Sequence, residues 1–287
     1  MKSRTRVLSI FTTLLAVLTA PGARALDLQL KDKTALITGS TAGIGYATAK
    51  GLLREGAQVI INGRSQADID KAVAALQAAT GHKPLAFVGD MSKAEDIARL
   101  VQAYPRVDIL INNVARFVAR PFQDQTDQDW LDTFELNVMS GVRLSRAYLP
   151  GMKERNWGRI IFISSESGLQ IPVESVSYGM SKAAEIAVAR GIAEGLVKSG
   201  VTVNSILPGP TLDADNPRYA AFTKLSGAEA AQAEENFFNQ RRPTSILKRF
   251  ARTDEVASLI VYIASPLSSA TTGSALRVDG GVVRSAF

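Results

Sequence analysis

The sequence contains no cysteine and a single histidine. Without a thiol, the chain can form no disulfide, no thiolate metal site and no cysteine nucleophile. The histidine, His82, stands before an apolar run and is expected in a surface loop, because a histidine metal site needs several ligands. The rest is ordinary globular composition, 46% hydrophobic and 21% charged among 287 residues, with no repeat. One α/β domain of this length buries a large core without a second domain.

The first 25 residues differ in composition from the rest of the chain. They hold four basic residues and no acid, so residues 26–287 carry only +2 of the chain's net charge of +6. No nucleic-acid-binding patch is therefore indicated. Residues 7–20 are uncharged and are followed by Pro21, Gly22 and the small-x-small sequence Ala23-Arg24-Ala25. This order is typical of a cleaved secretory signal and is short for a membrane span. We expect an exported, periplasmic protein with no stable membrane span in the mature chain. The alternatives are an uncleaved anchor and a misplaced start codon, and a misplaced start codon would mean a cytoplasmic protein.

From Leu26 onward, short apolar runs alternate with longer helical patterns. Apolar runs of this kind indicate strands buried on both faces, and strand–helix alternation indicates right-handed crossovers between parallel strands. The predicted strands are 34–38, 58–62, 85–88, 108–112, 159–164, 202–207 and 275–278. The predicted helices are 44–54, 66–79, 93–103, 127–153, 178–198 and 253–264. The pattern predicts one doubly wound α/β domain over 26–287, with about seven parallel strands and helices on both faces, that binds ligands beyond the carboxyl ends of its strands.

The first predicted strand runs directly into a glycine-rich turn, Thr38-Gly-Ser-Thr-Ala-Gly-Ile-Gly45. Glycines between a strand and a helix permit a tight turn and let a pyrophosphate approach the backbone. The free N–H groups and the positive dipole end of the following helix then face that pyrophosphate. A flexible turn is the alternative, but the position after the first strand favours a dinucleotide site.

The spacing of Gly39, Gly43 and Gly45 resembles the Gly-x-x-x-Gly-x-Gly motif of the short-chain dehydrogenase/reductase family, and the family's other motifs follow in order. They are Asp90, Asn112-Asn113-Val114-Ala115, Asn137, Ser165, Tyr178-Gly-Met-Ser-Lys182, Pro208-Gly209 and Val278-Asp-Gly-Gly281. The resemblance covers about residues 28–284, and the chain is similar to 3-oxoacyl-thioester reductase-like oxidoreductases. Val114 and Ala115 depart from the usual alanine and glycine, for which we expect only a small packing adjustment. The resemblance implies a Rossmann-type fold and hydride transfer between a nicotinamide and a carbonyl or alcohol carbon.

The catalytic residues implied by the resemblance are Asn137, Ser165, Tyr178 and Lys182. Tyr178 and Lys182 are four residues apart and share one helical face. An ammonium beside a phenol favours the phenolate, and so lowers a tyrosine pKa from about 10 and improves the phenol as an acid or base. Ser165 would hold the substrate oxygen. The alternative is a surface Tyr–Lys pair.

Asn137 is assigned by the resemblance to a helix kink and to a water-mediated proton path through Lys182; an ordinary helix-surface asparagine is the alternative. The adjacent serines, Ser164 and Ser165, invite a hydrolase interpretation. A serine triad usually needs a histidine base, and the only histidine lies in an early loop. The sequence therefore argues against a hydrolase.

The predicted cofactor is NADP(H), with NAD(H) possible. The end of the second strand reads Asn62-Gly63-Arg64-Ser65, without the acid that favours NAD, and Arg64 can pair bidentately with a 2′-phosphate. Arg64 could instead stack on the adenine, and Ala42 stands where many NADP-using relatives have a basic residue. The predicted cofactor-binding residues are Gly39, Ser40, Thr41, Gly43, Ile44, Gly45, Arg64, Asp90, Met91, Asn113, Val114, Tyr178, Lys182, Pro208, Gly209 and Thr211.

Residues 212–245 are expected to form a mobile substrate lid. Within it, 226–240 would form a helix with apolar positions near Ala230, Ala233, Phe237 and Phe238, which either contact substrate or pack the lid on the body. Glu166 and Glu174 flank the serine loop, and solvated loop charges are favoured over substrate ligands. The substrate class stays open among 3-oxoacyl thioesters, sugars or polyols, and steroid or xenobiotic carbonyl compounds.

The expected partners are a small-molecule carbonyl or alcohol substrate and further copies of the chain. The resemblance places the dimer contact on helices 127–153 and 178–198 and implies a homodimer or a homotetramer. No metal and no nucleic acid is expected. A catalytically silent cofactor-binding or scaffolding protein of the same fold is the alternative function, although none of Ser165, Tyr178 and Lys182 is lost.

Overall fold

A computed structural model of the protein describes residues 26–213 and 222–286. The predicted doubly wound α/β fold is confirmed. The strands are β1 (Thr34–Ile37), β2 (Gln58–Gly63), β3 (Leu85–Val88), β4 (Ile109–Asn112), β5 (Gly158–Ile163), β6 (Val201–Pro208), β7 (Thr211–Leu212), β8 (Ala251–Arg252) and β9 (Ala275–Val278). The helices are α1 (Gly43–Arg54), α2 (Gln66–Thr80), α3 (Ala94–Ala103), α4 (Asp127–Phe134), α5 (Ser140–Glu154), α6 (Val176–Glu194), α7 (Gly227–Arg241) and α8 (Thr253–Ala264).

Seven of these strands form one parallel sheet in the order β3-β2-β1-β4-β5-β6-β9. Leu36 of β1 pairs with Ile60 of β2 on one side and with Leu110 of β4 on the other. The strand order reverses between β1 and β4, so the connecting helices wind away from that point in opposite directions. A crevice is left beyond the carboxyl ends of the strands, where doubly wound sheets bind their ligands.

The sheet lies between two apolar layers, because successive side chains of a strand point to opposite faces. Ile37 and Ile111 face the layer that is formed with α1, α2 and α8. Leu36 and Leu110 face the layer that is formed with α3, α5 and α6. All four side chains are fully buried. This double burial explains why the strands read as continuous apolar runs in the sequence.

Two of the predicted helices differ from the structure. The helix expected over 127–153 is interrupted, because a π-helical segment at Glu135–Met139 separates α4 from α5. The helix expected over 178–198 begins earlier, at Val176, and ends at Glu194. The chain turns at Gly195 and buries Leu196 in the apolar layer, which ends the helix.

The predicted lid helix is present as α7, and its aromatic side chains pack on one another. Phe238 and Phe250 are almost fully buried, and Phe222 and Phe237 pack against them. The rings of Phe237 and Phe238 lie 4.8 and 5.1 Å from the ring of Phe250. We name Phe222, Phe237, Phe238 and Phe250 the aromatic cluster. Its contacts favour packing over substrate binding for these residues.

The base of the predicted lid is closed by a small sheet that the sequence analysis did not predict. It consists of the parallel strands β7 and β8, in which Thr211 is opposite Ala251 and Leu212 is opposite Arg252. The predicted signal segment and the middle of the predicted lid, including Asp215 and Tyr219, lie outside the described residues. Across 26–213 and 222–286, no helix is long and apolar enough to cross a bilayer.

Candidate active site

A cleft of about 740 Å³ opens at the carboxyl end of the sheet, over the point where the strand order reverses. It contains Ser165, Tyr178 and Lys182 together with the glycine-rich turn, which the sequence analysis assigned to one site. The predicted cofactor-binding residues that line it are Gly39, Thr41, Gly43, Ile44, Arg64, Asp90, Met91, Asn113, Val114, Tyr178, Lys182, Pro208, Gly209 and Thr211. Ser40, Gly45 and Asn137 are buried beneath its surface rather than on it.

Buried uncharged side chains hold the glycine-rich turn in place. The side-chain amide of Asn62 donates to the carbonyls of Phe87 and Gly89, and its oxygen accepts from the Gly39 N–H at 3.2 Å. The Ser40 hydroxyl donates to the Ile37 carbonyl at 2.8 Å and accepts from the Asn62 N–H. Asn62 therefore shapes the turn, which explains why an amide, rather than an acid, stands at the end of β2.

Close packing requires glycine at two positions of this turn. Gly39 has φ +60°, and a Cβ there would lie 3.2 Å from the Val114 Cα. A Cβ on Gly45 would lie 2.6 Å from the Gly39 carbonyl oxygen and 2.7 Å from Asn113 Nδ2. The Asn113 amide meanwhile donates to the carbonyls of Thr38 and Gly39. Val114 thus fits where the family usually has alanine, and Asn113 ties the end of β4 to the turn.

The turn fits the pyrophosphate of a dinucleotide. The residue before α1, Ala42, has no polar side chain with which to cap the helix, and the first turn of α1 contains no acid. The first N–H groups of α1 therefore lack the cap that a Ser, Thr or Asp at this position would supply. A Cβ on Gly43 would lie 2.5 Å from a carboxylate oxygen of Asp213, so the backbone at Gly43 is approached closely by a side chain.

The adenine end of the cleft contains charges of both signs. Arg64 is exposed and lines the cleft where the 2′-phosphate was predicted to bind. Asp68, in the first turn of α2, also lines it, and the sequence analysis missed this acid because it lies beyond the end of β2. Asp90 accepts hydrogen bonds from the backbone N–H and the hydroxyl of Ser92 at 3.0 and 2.8 Å.

The predicted catalytic residues meet at the other end of the cleft. Ser165 follows β5, while Tyr178 and Lys182 lie one turn apart on α6. The Lys182 Nζ is 5.7 Å from the centre of the Tyr178 ring. Phe117 contacts the same ring edge to face, with 5.0 Å between ring centres. The arrangement places a phenol and a hydroxyl beside one cation in a single cleft.

Lys182 is fully buried and has a carboxylate partner that the sequence analysis missed. Its Nζ donates to the Ile163 carbonyl at 2.8 Å and to the two carboxylate oxygens of Glu185 at 2.8 and 3.1 Å. Burial raises the pKa of Glu185 to about 7, and the ammonium of Lys182 opposes this rise. The only sequence signal is the spacing of three residues, which places Lys182 and Glu185 on one helical face.

Glu166 is buried, so the expectation of a solvated loop charge is wrong. One of its carboxylate oxygens accepts from the Arg242 Nε at 2.7 Å, and the other accepts from the hydroxyls of Ser165, at 2.7 Å, and Ser167. Arg242 follows α7 and lines the cleft with Glu166. An ion pair shielded from water therefore joins the end of the lid segment to the catalytic serine loop.

Asn137 lies in the π-helical segment between α4 and α5. Its side-chain amide donates to the Ser181 hydroxyl at 2.9 Å and to the Arg116 carbonyl, and its oxygen accepts from the Arg116 N–H. Asn137 is 2% exposed, so it is no surface asparagine. It connects α6, next to Lys182, with the segment that follows β4.

The last wall of the cleft is formed after β6. A Cβ on Gly209 would lie 2.6 Å from the Asp279 carbonyl oxygen, and the Thr211 hydroxyl donates to the Gly209 carbonyl at 3.0 Å.

The Ser164 hydroxyl donates to the Lys182 carbonyl, which gives it a structural role. His82 is exposed after α2. Among the described residues, no group of acidic or histidine side chains is arranged to hold a metal ion.

Comparison with known proteins agrees with this geometry. The family described as short chain dehydrogenase matches residues 33–219. An uncharacterized oxidoreductase of Bacillus subtilis, YvrD, is 43% identical over 91% of the chain and 100% of its own length. A D-beta-hydroxybutyrate dehydrogenase of Cupriavidus necator is 34% identical over 89% and 99% of the two chains. The crystal structure of L-sorbose reductase from Gluconobacter frateurii, complexed with NADPH and L-sorbose, superposes with a TM-score of 0.82 at 30% identity and covers 91% and 100%.

Proposed function

The chain belongs to the short-chain dehydrogenase family and is an NAD(P)-dependent oxidoreductase acting on CH–OH or C=O groups, and from this we propose that Tyr178 is its general acid and base. The observation that carries the proposal is the presence of Ser165, Tyr178 and Lys182 in the same cleft as the glycine-rich turn. The nicotinamide, when bound, supplies or accepts the hydride at the substrate carbon. The remaining steps belong to side chains of this protein.

In carbonyl reduction, the Tyr178 hydroxyl donates its proton to the substrate oxygen as negative charge develops there. In alcohol oxidation, the Tyr178 phenolate accepts the alcohol proton. Lys182 favours the phenolate by its charge, because its Nζ lies 5.7 Å from the centre of the ring. A phenol tuned in this way exchanges protons more readily near neutral pH.

Ser165 acts as the hydrogen-bond donor that holds the substrate oxygen. Its hydroxyl donates to Glu166 in this structure, so it must rotate toward the substrate. Glu166 keeps Arg242 and Ser167 as donors while Ser165 turns, and is not left unpaired. Asn137 is proposed to act indirectly, by fixing the backbone at Arg116 and the hydroxyl of Ser181, which is next to Lys182. The π-helical segment is proposed to be the start of the water-mediated proton path through Lys182.

We propose NADP(H) as the preferred cofactor. Arg64 lines the adenine end of the cleft, and a guanidinium suits a 2′-phosphate. The similar L-sorbose reductase was solved with NADPH. Asp68 lines the same end of the cleft, and an acid there repels a 2′-phosphate. NAD(H) is therefore kept as the weaker alternative.

The substrate is proposed to be a small polar carbonyl compound or alcohol. Arg116, Glu166 and Arg242 line the cleft around Ser165, and charged walls favour polar substrates over steroids. The similar enzymes named for hydroxybutyrate and sorbose act on compounds of this kind. Hydroxy acids and sugars are therefore the first classes to screen.

The test is turnover by the purified protein with a panel of ketones, ketoses and hydroxy acids, followed by NADPH absorbance. Tyr178→Phe removes one hydroxyl, and we expect turnover to fall at least about a thousandfold while NADPH binding is kept. Full turnover by Tyr178→Phe would show that the acid is wrongly assigned. Tight NADPH binding by the unaltered protein with no turnover on any compound would favour the silent, scaffolding alternative.

We propose a homodimer, or a homotetramer built from it, through α5 and α6. A largely apolar depression lies between these helices on the protein surface, lined by Val142, Leu149, Val188 and Ile192 among others. Burial of this surface against a second copy would remove apolar area from water. Light scattering of the wild-type protein and of Leu149→Glu tests the proposal, since a monomeric wild type excludes it.

Residues 1–25 are proposed to be a cleaved export signal, on the composition of that segment alone. Cofactors of this class are recycled in the cytoplasm, so an exported enzyme would have to be loaded before export or supplied outside. N-terminal sequencing of the mature protein distinguishes an exported protein from a cytoplasmic one. A mature chain that starts at Leu26 supports export, whereas an intact Met1 removes the proposal.

A further inference from the structure

The ion pair of Lys182 and Glu185 is shielded from water. Each side chain is only 2% exposed. The ammonium of a lysine has three N–H donors, and here they meet three acceptors: the Ile163 carbonyl oxygen and the two carboxylate oxygens of Glu185. Lys182 is thus held against the end of β5, with its charge opposed by a carboxylate on its own helix.

We propose that Glu185 is a positioning residue for catalysis, which orients the Lys182 ammonium and offsets part of its charge, and so sets how strongly Tyr178 is activated. This inference rests on the proposed function, in which Tyr178 exchanges the proton. The Lys182 Nζ is 5.7 Å from the Tyr178 ring centre, so the cation acts on the phenol through space. A paired cation and anion present a dipole to the phenol, and the field of a dipole is weaker than that of a free charge.

The buried and half-buried charged groups on the elements packed against α6 have other partners, and Asp127 at the start of α4 is exposed. After β5, Glu166 pairs with Arg242. On α4, Asp129 pairs with Arg116 and Arg120, and Asp132 also pairs with Arg116. In the π-helical segment, Glu135 pairs with Arg143. Arg159 lies at the start of β5, at the opposite end of the sheet, where it donates to the Ser265 carbonyl. Glu185 is therefore the carboxylate that opposes Lys182.

The ionisation of Glu185 supports a functional effect in the neutral range. Burial raises its pKa to about 7, so near that pH the pair passes between a net charge of zero and a net positive charge. The cation felt by Tyr178 is then strongest below that pH and weakest above it. A purely structural pair would leave the ionisation of Tyr178 unchanged.

The direct test is the ionisation of Tyr178 in the full chain without cofactor. Tyrosinate absorbance is titrated in each variant and in the same variant carrying Tyr178→Phe, and the difference reports Tyr178 alone. Glu185→Gln keeps the shape of the side chain and removes its charge, so the pKa of Tyr178 should fall by roughly one unit. The pH profiles of oxidation and reduction should move to lower pH by the same amount.

A second variant keeps the test decisive if Glu185→Gln unfolds, because that change leaves a buried charge unpaired. The double variant Lys182→Met, Glu185→Gln removes both charges, and the pKa of Tyr178 should then lie between its wild-type value and its value in Lys182→Met. Lys182→Met alone should raise the pKa of Tyr178. Glu194→Gln, on the exposed part of the same helix, should change nothing, since Glu194 pairs with Arg190 at the surface.

Two results would overturn the inference. One is an unchanged Tyr178 pKa in Glu185→Gln. The other is a double variant that titrates like Lys182→Met, which would show that the charge of Glu185 has no influence on the phenol. Failure of the proposed function is seen separately, as full turnover by Tyr178→Phe, and it leaves the titration interpretable.

Discussion

The two ends of the cleft hold their buried polar groups in different ways. At the glycine-rich turn these groups are uncharged: Ser40 and Asn62 are buried and bind backbone atoms, as does the half-buried Asn113. At the catalytic end they form two ion pairs, Lys182 with Glu185 and Glu166 with Arg242, whose side chains are at most 8% exposed. One end is a fixed frame for a cofactor, whereas the other end can respond to protonation.

The difference matters because the two kinds of contact fail differently. A lost neutral hydrogen bond leaves one polar atom unsatisfied, at a modest cost that does not depend on pH. A lost member of a buried ion pair leaves a charge in the interior, which costs more and changes as the remaining group titrates. Variants at each end should therefore separate by magnitude and by pH dependence.

The largest effect is expected for Arg242→Met. It leaves Glu166 without its guanidinium partner, and we expect the free energy of unfolding to fall by about 3 kcal/mol or more. Turnover should also fall, because Glu166 then holds the Ser165 hydroxyl more tightly. Denaturant unfolding and steady-state kinetics measure the two effects. Arg241→Met, on an exposed neighbour, is the matched control, and equal stability of the two variants would contradict the buried pair.

A smaller effect is expected for Asn62→Ala at the glycine-rich turn. The variant loses two donated hydrogen bonds and the acceptor for the Gly39 N–H, at about 2 kcal/mol of unfolding free energy. Cofactor affinity should fall with it, because the turn is no longer held. Unfolding measured at several pH values near neutrality should show the same loss at each. A loss that varies with pH would break the contrast between the two ends.

Arg64→Ala tests the exposed charge at the cofactor end. NADPH should bind about tenfold more weakly, which is about 1.4 kcal/mol, while NADH should be little affected. Asp68→Asn, at the same end of the cleft, should act in the opposite direction and tighten NADPH. Fluorescence titration with each cofactor measures both variants. Equal weakening of NADPH and NADH by Arg64→Ala would mean that the guanidinium stacks on the adenine.

The smallest effect is expected for a surface pair that does not line the cleft. Glu255 accepts from two Arg249 nitrogens and from the Arg252 N–H, which lower its pKa to about 2. A lowered pKa gives stability that is present above about 4.5 and is lost as pH falls toward 2. Glu255→Gln should lower the melting temperature slightly at neutral pH and not at low pH. Salt should reduce the difference, and a salt-independent effect would point to helix capping instead.

The central strands could be predicted from sequence because β1, β4, β5 and β6 are almost entirely buried on both faces. Ile160–Ile163 of β5 is a continuous apolar run, and the structure shifts the predicted ends of this strand by one residue. The predicted carboxyl ends of the strands also predicted the position of the cleft, because the loops that follow parallel strands all lie at one edge of the sheet. The motif residues then entered the site together, with Ser40 and Gly45 just beneath its surface.

Features that depend on distant partners could not be predicted. The spacing of three residues places Glu185 and Lys182 on one helical face, but only the tertiary fold shields the pair from water. Glu166 reads as a loop charge until Arg242, from a far part of the chain, is brought to it. The π-helical segment has the composition of an ordinary helix, and the position of Asn137 was implied by resemblance alone.

The short ladder of β7 and β8 has a consequence for engineering. Hydrogen bonding between Thr211–Leu212 and Ala251–Arg252 brings both ends of the intervening segment within about 5 Å of each other. A loop whose stem is already closed can change in length with little further loss of chain entropy. Residues 213–250 should therefore be exchangeable for a segment of another enzyme that keeps an arginine at position 242 for Glu166, so that specificity is grafted onto an unaltered sheet.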